Sequence, residues 1–333
     1  MLVIGLQGSP RKNGSTDYLL TSFLNEMESR GAETRVVTIS RKNIKMCKGC
    51  GYCEKHGFCV TRDDDMAIEM YPLLHEADIV VAATPIYFYH ASAQMKMFID
   101  RCQALWSRKF RFQVADPGSK TRKGFVLSQA ATKGEHLFKG LELSMRYFFD
   151  AFSAKYCGSL TYRAVENPGD FKKHPALLDE IGEAAGSLLE SFADRKKILF
   201  ACRENACRSQ MASAFAQYHA GETVEALRGG SSPSDKVNPL MVEVMAEKGI
   251  DMAFRKPRSL EDAISKTKPD VIVTMGCGEE CPFVPGAKRM DWDLPDPAGK
   301  DINFMRQVRD EIEAKVQSLI TALSRPDSGS GKT

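Results

Sequence analysis

One pattern constrains this chain more than any other. Short apolar, β-branched runs lead through a loop into a helix, and the series starts afresh in mid-chain. Runs over 2–6, 34–39, 78–83, 124–128 and 155–162 alternate with helical periodicity over 15–30, 66–75, 92–105, 137–152 and 174–193. Five such units predict an α/β fold with a doubly wound parallel sheet. The pattern then restarts, with strands over 197–201, 223–227 and 269–275 and helices over 209–220, 239–248 and 301–323. The expectation is two doubly wound parallel-sheet domains, 1–194 and 195–323, followed by a flexible polar tail, 324–333. The total of 333 residues agrees with roughly 150 residues per domain.

Composition removes other classes. Hydrophobic residues are 43% and charged residues 27%, ordinary for a globular chain and too apolar for disorder. Lys and Arg number 46 against 43 Asp and Glu, and a net charge of +3 offers no basic field for nucleic acid or an anionic membrane. No apolar run reaches the roughly 18 residues of a spanning helix. Met1-Leu2-Val3-Ile4-Gly5 reads as a strand entering a glycine loop, not as a signal peptide, so a cytoplasmic location is expected. The 10 cysteines are then not expected to form structural disulfides. Eight of them fall in three tight groups, a pattern of metal or redox chemistry.

In the first half, the opening strand runs into Gly8-Ser9-Pro10-Arg11-Lys12-Asn13-Gly14-Ser15-Thr16, which begins a helix. Free N–H groups at a helix start suit a phosphate, Ser9, Ser15 and Thr16 add hydroxyl donors, and Arg11 adds charge. A plain strand–helix turn reads the same residues. No Gly-Lys-Ser/Thr ending and no G-x-G-x-x-G follows, which excludes the nucleoside-triphosphate and dinucleotide loops. After the third strand, Thr84-Pro85-Ile86-Tyr87-Phe88-Tyr89-His90 lies where open α/β sheets carry ligand loops. It is suited to packing on a flat ring. These stretches, with Ser92-Ala93-Gln94-Met95-Lys96-Met97-Phe98-Ile99-Asp100-Arg101, resemble the NADPH-dependent FMN reductase and iron–sulfur flavoprotein family over about residues 1–190. The resemblance implies a flavodoxin-like fold and FMN. Its phosphate contacts would fall on Ser9, Arg11, Asn13, Gly14, Ser15 and Thr16, and its ring contacts on Pro85, Ile86, Tyr87 and Phe88. It also implies NAD(P)H as donor and a homodimer across the aromatic loop.

Cys47, Cys50, Cys53 and Cys59 have the spacing C-x2-C-x2-C-x5-C. Four thiolates this close can ligate a 4Fe–4S cluster; zinc or free thiols read the same residues. The spacing resembles the compact motif of iron–sulfur flavoproteins. His56 reads as a solvated loop residue, and Cys102 and Cys157 as buried small hydrophobes.

In the second half, the first strand ends in Cys202-Arg203-Glu204-Asn205-Ala206-Cys207-Arg208-Ser209, again followed by a helix. The step C-x5-R lets the loop aim its N–H groups at one centre above the thiol. The helix start and Arg208 favour the thiolate, making Cys202 a nucleophile toward a tetrahedral oxyanion, phosphate or arsenate. Arg208 can hold two oxygens at once, Ser209 can hydrogen-bond the thiolate, and Asn205 can hold the loop in shape. This loop resembles the low-molecular-weight tyrosine phosphatase family, in which Asp296-Pro297 would supply the general acid; Asp291 and Asp293 read as solvated neighbours. Cys277 and Cys281 have no use in a phosphatase, though a metal-binding or inert pair reads the same residues. Arsenate reduction, by contrast, needs thiols for its electrons, with Cys277 and Cys281 as the relay. The segments at 234–240 and 247–251 resemble thioredoxin-linked arsenate reductases, a likeness covering about 196–323. Cys207, inside the loop, can compete by pairing with Cys202. The expected function is a fused arsenate reductase supplied by NAD(P)H, ferredoxin or thioredoxin, the alternative a redox-gated tyrosine phosphatase.

Overall fold

The computed structural model describes residues 1–265, 267–275 and 284–324. Cys277, Cys281 and the tail beyond 324 lie outside the described residues. The chain divides into two compact units, Met1–Ala193 and Asp194–Thr333.

The first unit runs β1 (Leu2–Gln7), α1 (Ser15–Ser29), β2 (Glu33–Thr38), α2 (Tyr52–His56), α3 (Tyr71–Glu76), β3 (Ile79–Pro85), α4 (Ala93–Arg101), α5 (Gln103–Phe110), β4 (Lys123–Ala130), α6 (Lys139–Ala151), β5 (Lys155–Arg163) and α7 (Leu177–Leu189). Its five strands pair in parallel in the order β2-β1-β3-β4-β5. Every residue of β3 is buried, as a central strand with helices on both faces requires. Val3, Ile79, Val81 and Leu127 form one inner face, with Phe23 stacked 5.3 Å from Phe125. Two expected helices are interrupted. Residues 66–70 form a wide π turn before α3, next to Pro72, which has no N–H to donate to a helical ladder. The helix expected over 92–105 breaks at Cys102, which ends α4 and starts α5. Cys102 is buried as expected, but Cys157, on the edge strand β5, is only half-buried and its thiol meets Lys155 O at 3.3 Å.

The second unit runs β6 (Lys196–Cys202), α8 (Arg208–Ala220), β7 (Val224–Gly230), α9 (Pro239–Glu247), α10 (Leu260–Ile264), β8 (Val271–Thr274), β9 (Lys288–Asp291) and α11 (Ile302–Ser324). Its sheet is parallel in the order β7-β6-β8-β9. Ile198, Phe200 and Val273 pack with Phe215, Val244 and Ile312 on one face; Leu199, Ala201 and Ile272 pack with Leu260 and Ala263 on the other. The alternation follows from side chains pointing to opposite faces of a strand. Ala-rich α8 is buried over most of its length, which fixes the loop that feeds it. No helix among the described residues is long and apolar enough to cross a membrane.

Candidate functional site

β6 delivers Cys202 as its last residue and α8 begins at Arg208, so residues 203–207 form the whole connection. The carbonyls of Cys202, Arg203, Glu204 and Ala206 accept from the N–H groups of Ser231, Ser232, Ser234 and Asn238, at 3.3, 2.9, 3.0 and 2.9 Å. In a trans peptide the N–H points opposite to the C=O. Turning these carbonyls toward 231–238 therefore turns the N–H groups of Arg203, Glu204, Asn205 and Cys207 the other way. Asn205 N–H meets Cys202 Sγ at 3.3 Å. Among the described residues, the N–H groups of Arg203, Glu204 and Cys207 have no acceptor. The result is a ring of donors with a sulfur at its base, an arrangement suited to a compact anion.

Cys202, Asn205, Arg208 and Ser209 are all buried. Ser209 Oγ lies 2.9 Å from Cys202 Sγ, and Asn205 Nδ2 donates to Ser209 Oγ at 2.8 Å. Asn205 sits at φ 49°, the left-handed region that Asn tolerates better than most residues. The Arg208 guanidinium donates to Leu294 O at 3.2 Å and lies 3.5 Å from Asp296 Oδ1. That contact holds the largely exposed Asp296 at the rim of a cavity of about 80 Å³ lined also by Cys202, Glu204, Cys207, Arg208 and Asn238. Asp293 is exposed, and Asp291 accepts from Thr274 Oγ1 at 2.5 Å. Burial pushes the Cys207 thiol up, with nearby Cys202 acting in the same direction. Among the described residues, the second unit therefore brings together Cys202, Asn205, Arg208, Ser209 and Asp296. Sequence reasoning missed Gly230, Gln210 and Asn238. A Cβ at Gly230 would lie 2.5 Å from Arg203 O and 2.8 Å from Asn205 N. Only the Gly229-Gly230 pair at the end of β7 signalled this close approach.

In the first unit a cleft opens at the carboxyl ends of β1, β3 and β4. The order β2-β1-β3 places a topological switch point here, where ligands bind in such sheets. The cleft is lined by Ser9, Arg11, Gly14, Ser15, Thr16, Pro85, Ile86 and Tyr87, and also by Gln129, Val165 and Glu166. Asn13 and Phe88 are not among its lining residues. Asn13, at φ 52°, shapes the turn and is exposed. Phe88 is fully exposed: Tyr87 and His90 exchange backbone hydrogen bonds around a two-residue turn with φ 49° at Phe88 and 62° at Tyr89. That turn geometry carries the Phe88 ring into solvent. Pro85 is held in place because Ile86 N–H donates to Gln129 O at 3.1 Å and Ser128 Oγ to Thr84 O at 2.7 Å.

The cleft suits a flavin mononucleotide. Gly14 caps α1 with no side-chain hydrogen bond, leaving the helix start open beside Ser9, Arg11 and Thr16. Gln129 Nε2 donates to Thr16 Oγ1 at 2.7 Å while Gln129 Oε1 is buried without a partner, an acceptor waiting for a donor. Gln129 and Glu166 were not legible beforehand; each comes from a later strand end.

Cys47, Cys50, Cys53 and Cys59 do not fit a preassembled cluster. Cys47 and Cys50 are exposed, Cys53 and Cys59 half-buried, and among the described residues no three metal-ligating side chains converge. Burial raises the Cys53 thiol, a hydrogen bond from Ser107 opposes that, and Cys59 and Cys47 push it up further. The loop is nevertheless ordered: Arg101 pairs with buried Asp64 and donates to Lys45 O and Thr61 O, while the Arg108 guanidinium lies 4.9 Å from the Phe58 ring centre. His56 is exposed, as expected, against the Tyr52 ring.

Two parallel α/β units, one with a switch-point cleft and one with a cysteine under a ring of amides, define the class of this chain. Residues 1–137 match the family model described as NADPH-dependent FMN reductase, and residues 197–328 that described as low molecular weight phosphotyrosine protein phosphatase. An iron–sulfur flavoprotein of Archaeoglobus fulgidus is 46% identical over 101 residues, 30% of this chain and 45% of its own length. One of Methanocaldococcus jannaschii is 34% identical over 153 residues, 46% of this chain and 71% of its own. A putative arsenate reductase of Halobacterium salinarum is 36% identical over 137 residues, 39% of this chain and 95% of its own. The chain spans about half the length of the first flavoproteins it matches. It belongs to both families: to the FMN reductases and iron–sulfur flavoproteins in its first part, and to the low-molecular-weight phosphatase and arsenate reductase family in its second.

Proposed function

We propose that this chain is an arsenate reductase whose nucleophile is Cys202 and whose reducing equivalents come from a flavin in its own first unit. Cys202 Sγ attacks arsenic, a sulfur–arsenic bond forms, and one oxygen leaves as water with its proton from Asp296. The inward N–H groups and Arg208 stabilise the charge on the remaining oxygens. A second thiol then attacks Cys202 Sγ. The sulfur–arsenic bond breaks with its electron pair on arsenic, arsenite leaves, and a disulfide remains. Two thiols lose two electrons and arsenic gains two. Cys207, kept protonated by burial, is poorly placed on chemical grounds to be that thiol. The reading assigns Cys277 and Cys281 to the relay.

One observation carries the reduction of a bare oxyanion over hydrolysis of an aryl phosphate. Among the described residues, no aromatic side chain lines the cavity above Cys202. Among those residues an aryl ester would find no ring to stack on. In the first unit, Ser9, Arg11, Gly14 and Thr16 would hold the FMN phosphate and Pro85, Ile86 and Tyr87 its ring. When bound, FMN would carry electrons from NAD(P)H to the disulfide. No step is assigned to an iron–sulfur cluster.

The test is steady-state turnover of the full chain loaded with FMN. Arsenate-dependent NADPH oxidation without thioredoxin is expected, with Cys277→Ser and Cys281→Ser each stopping it. Activity that appears only on adding thioredoxin and its reductase contradicts electron supply in cis. Aryl phosphate hydrolysis that survives both substitutions, with no arsenite formed, establishes the phosphatase instead.

A further inference from the structure

The hydrogen bond between Ser209 Oγ and Cys202 Sγ has two possible directions, and a thiolate at Cys202 together with the buried amides behind Ser209 fixes which one is made. Arg258 N–H donates to Asn205 Oδ1 at 2.9 Å. A backbone N–H can only donate, so this oxygen is an acceptor and the other end of the Asn205 amide is Nδ2. Gln210 Nε2 meets Asn205 Oδ1 at 3.0 Å, Asn205 O at 2.9 Å and Lys256 O at 3.1 Å, three acceptors that define its own amide as the donor end. Asn205 Nδ2 must then donate to Ser209 Oγ. With one lone pair so engaged, and with the Cys202 sulfur a thiolate that can only accept, the Ser209 hydroxyl hydrogen is directed at Cys202 Sγ.

We infer that Gln210 is a positioning residue for the anion site: it locks the Asn205 amide so that Ser209 donates to the Cys202 sulfur. Gln210 is fully buried, the third residue of α8. It grips both partners of the decisive contact, Asn205 itself and the 256–258 segment that supplies the Arg258 N–H. It also ties down the carbonyl of Asn205, whose left-handed backbone the loop requires. The inference deepens the proposed function, since it rests on Cys202 acting as a thiolate.

The experiment is the pH profile of Cys202 alkylation by iodoacetamide in the full chain, read peptide by peptide by mass spectrometry. Gln210→Met keeps length and removes every donor; Gln210→Ala also removes every donor, with less bulk, and serves if the first variant fails to fold. Either should raise the Cys202 alkylation midpoint by about one pH unit, a tenfold weaker preference for the thiolate over the thiol. Ser209→Ala should raise it similarly, and combining it with the Gln210 change should add nothing further, because both remove one donor. An unchanged midpoint in a folded Gln210 variant, or shifts that add, overturns the inference. Arsenite formation is measured separately. A wild-type chain that shows this coupling but reduces no arsenate refutes the proposed function and leaves the positioning role standing.

Discussion

At position 230 the anion loop leaves room for a hydrogen atom and nothing more. Arg203 O and Asn205 N crowd the place a side chain would take, so Gly230→Ala must displace the donors above Cys202. Misplacement by about an ångström costs roughly a hundredfold in rate. Arsenate turnover should fall by that order while flavin absorbance of the same sample is unchanged; near wild-type turnover contradicts the close packing. Gln129 makes a second residue-scale case. Its buried, unpaired Oε1 is the acceptor the cleft offers a flavin, and its amide supports Thr16. Gln129→Leu should weaken FMN binding about tenfold in a fluorescence titration. Cys202, Arg208 and Ser209 were legible in the sequence because their chemistry lies in one short motif. Gly230, Gln210 and Gln129 were not, because each acts through packing with residues distant or turned away in sequence.

Elements rather than single contacts hold the two loops of the first unit in place. Ahead of β4, Arg122 is buried with Asp116, which also meets His75. Burial alone would raise the Asp116 carboxyl, but the Arg122 and His75 charges hold it well below the usual carboxylate range. A depressed folded-state pKa stabilises above the ordinary aspartate value of about 3.9 and loses that stabilisation as pH falls below it. Asp116→Asn should cost about 3 kcal/mol in denaturant unfolding at pH 7, with the difference from wild type narrowing below about pH 4. A difference that widens in acid contradicts this sign. The cysteine loop leads to a different expectation. Arg101 with Asp64 and Arg108 over Phe58 order it with its thiols apart. Treatment with an iron or zinc chelator should therefore leave the melting temperature and the FMN affinity unchanged; loss of the first unit's folding would show that metal holds the loop. The central strands were readable as apolar runs. β9 was not, because Lys288, Arg289 and Asp291 give an exposed edge strand no apolar pattern.

For the molecule as a whole, the restart of the strand–helix pattern carried the architecture: two parallel sheets, each bringing a loop to the carboxyl end of its first strand. One loop surrounds a cleft with a buried acceptor, the other a sulfur beneath amides, and among the described residues these groups have no partner. On the proposed function, joining them in one chain keeps an electron source and an oxyanion trap at fixed stoichiometry. The account stands or falls on the fate of that sulfur. Pre-reduced full-length chain, given one equivalent of arsenate without air, should yield close to one arsenite per chain and a disulfide that includes Cys202 by peptide mass spectrometry. Arsenate recovered intact with every thiol still titratable, or arsenite formed equally well by Cys202→Ser, would contradict it.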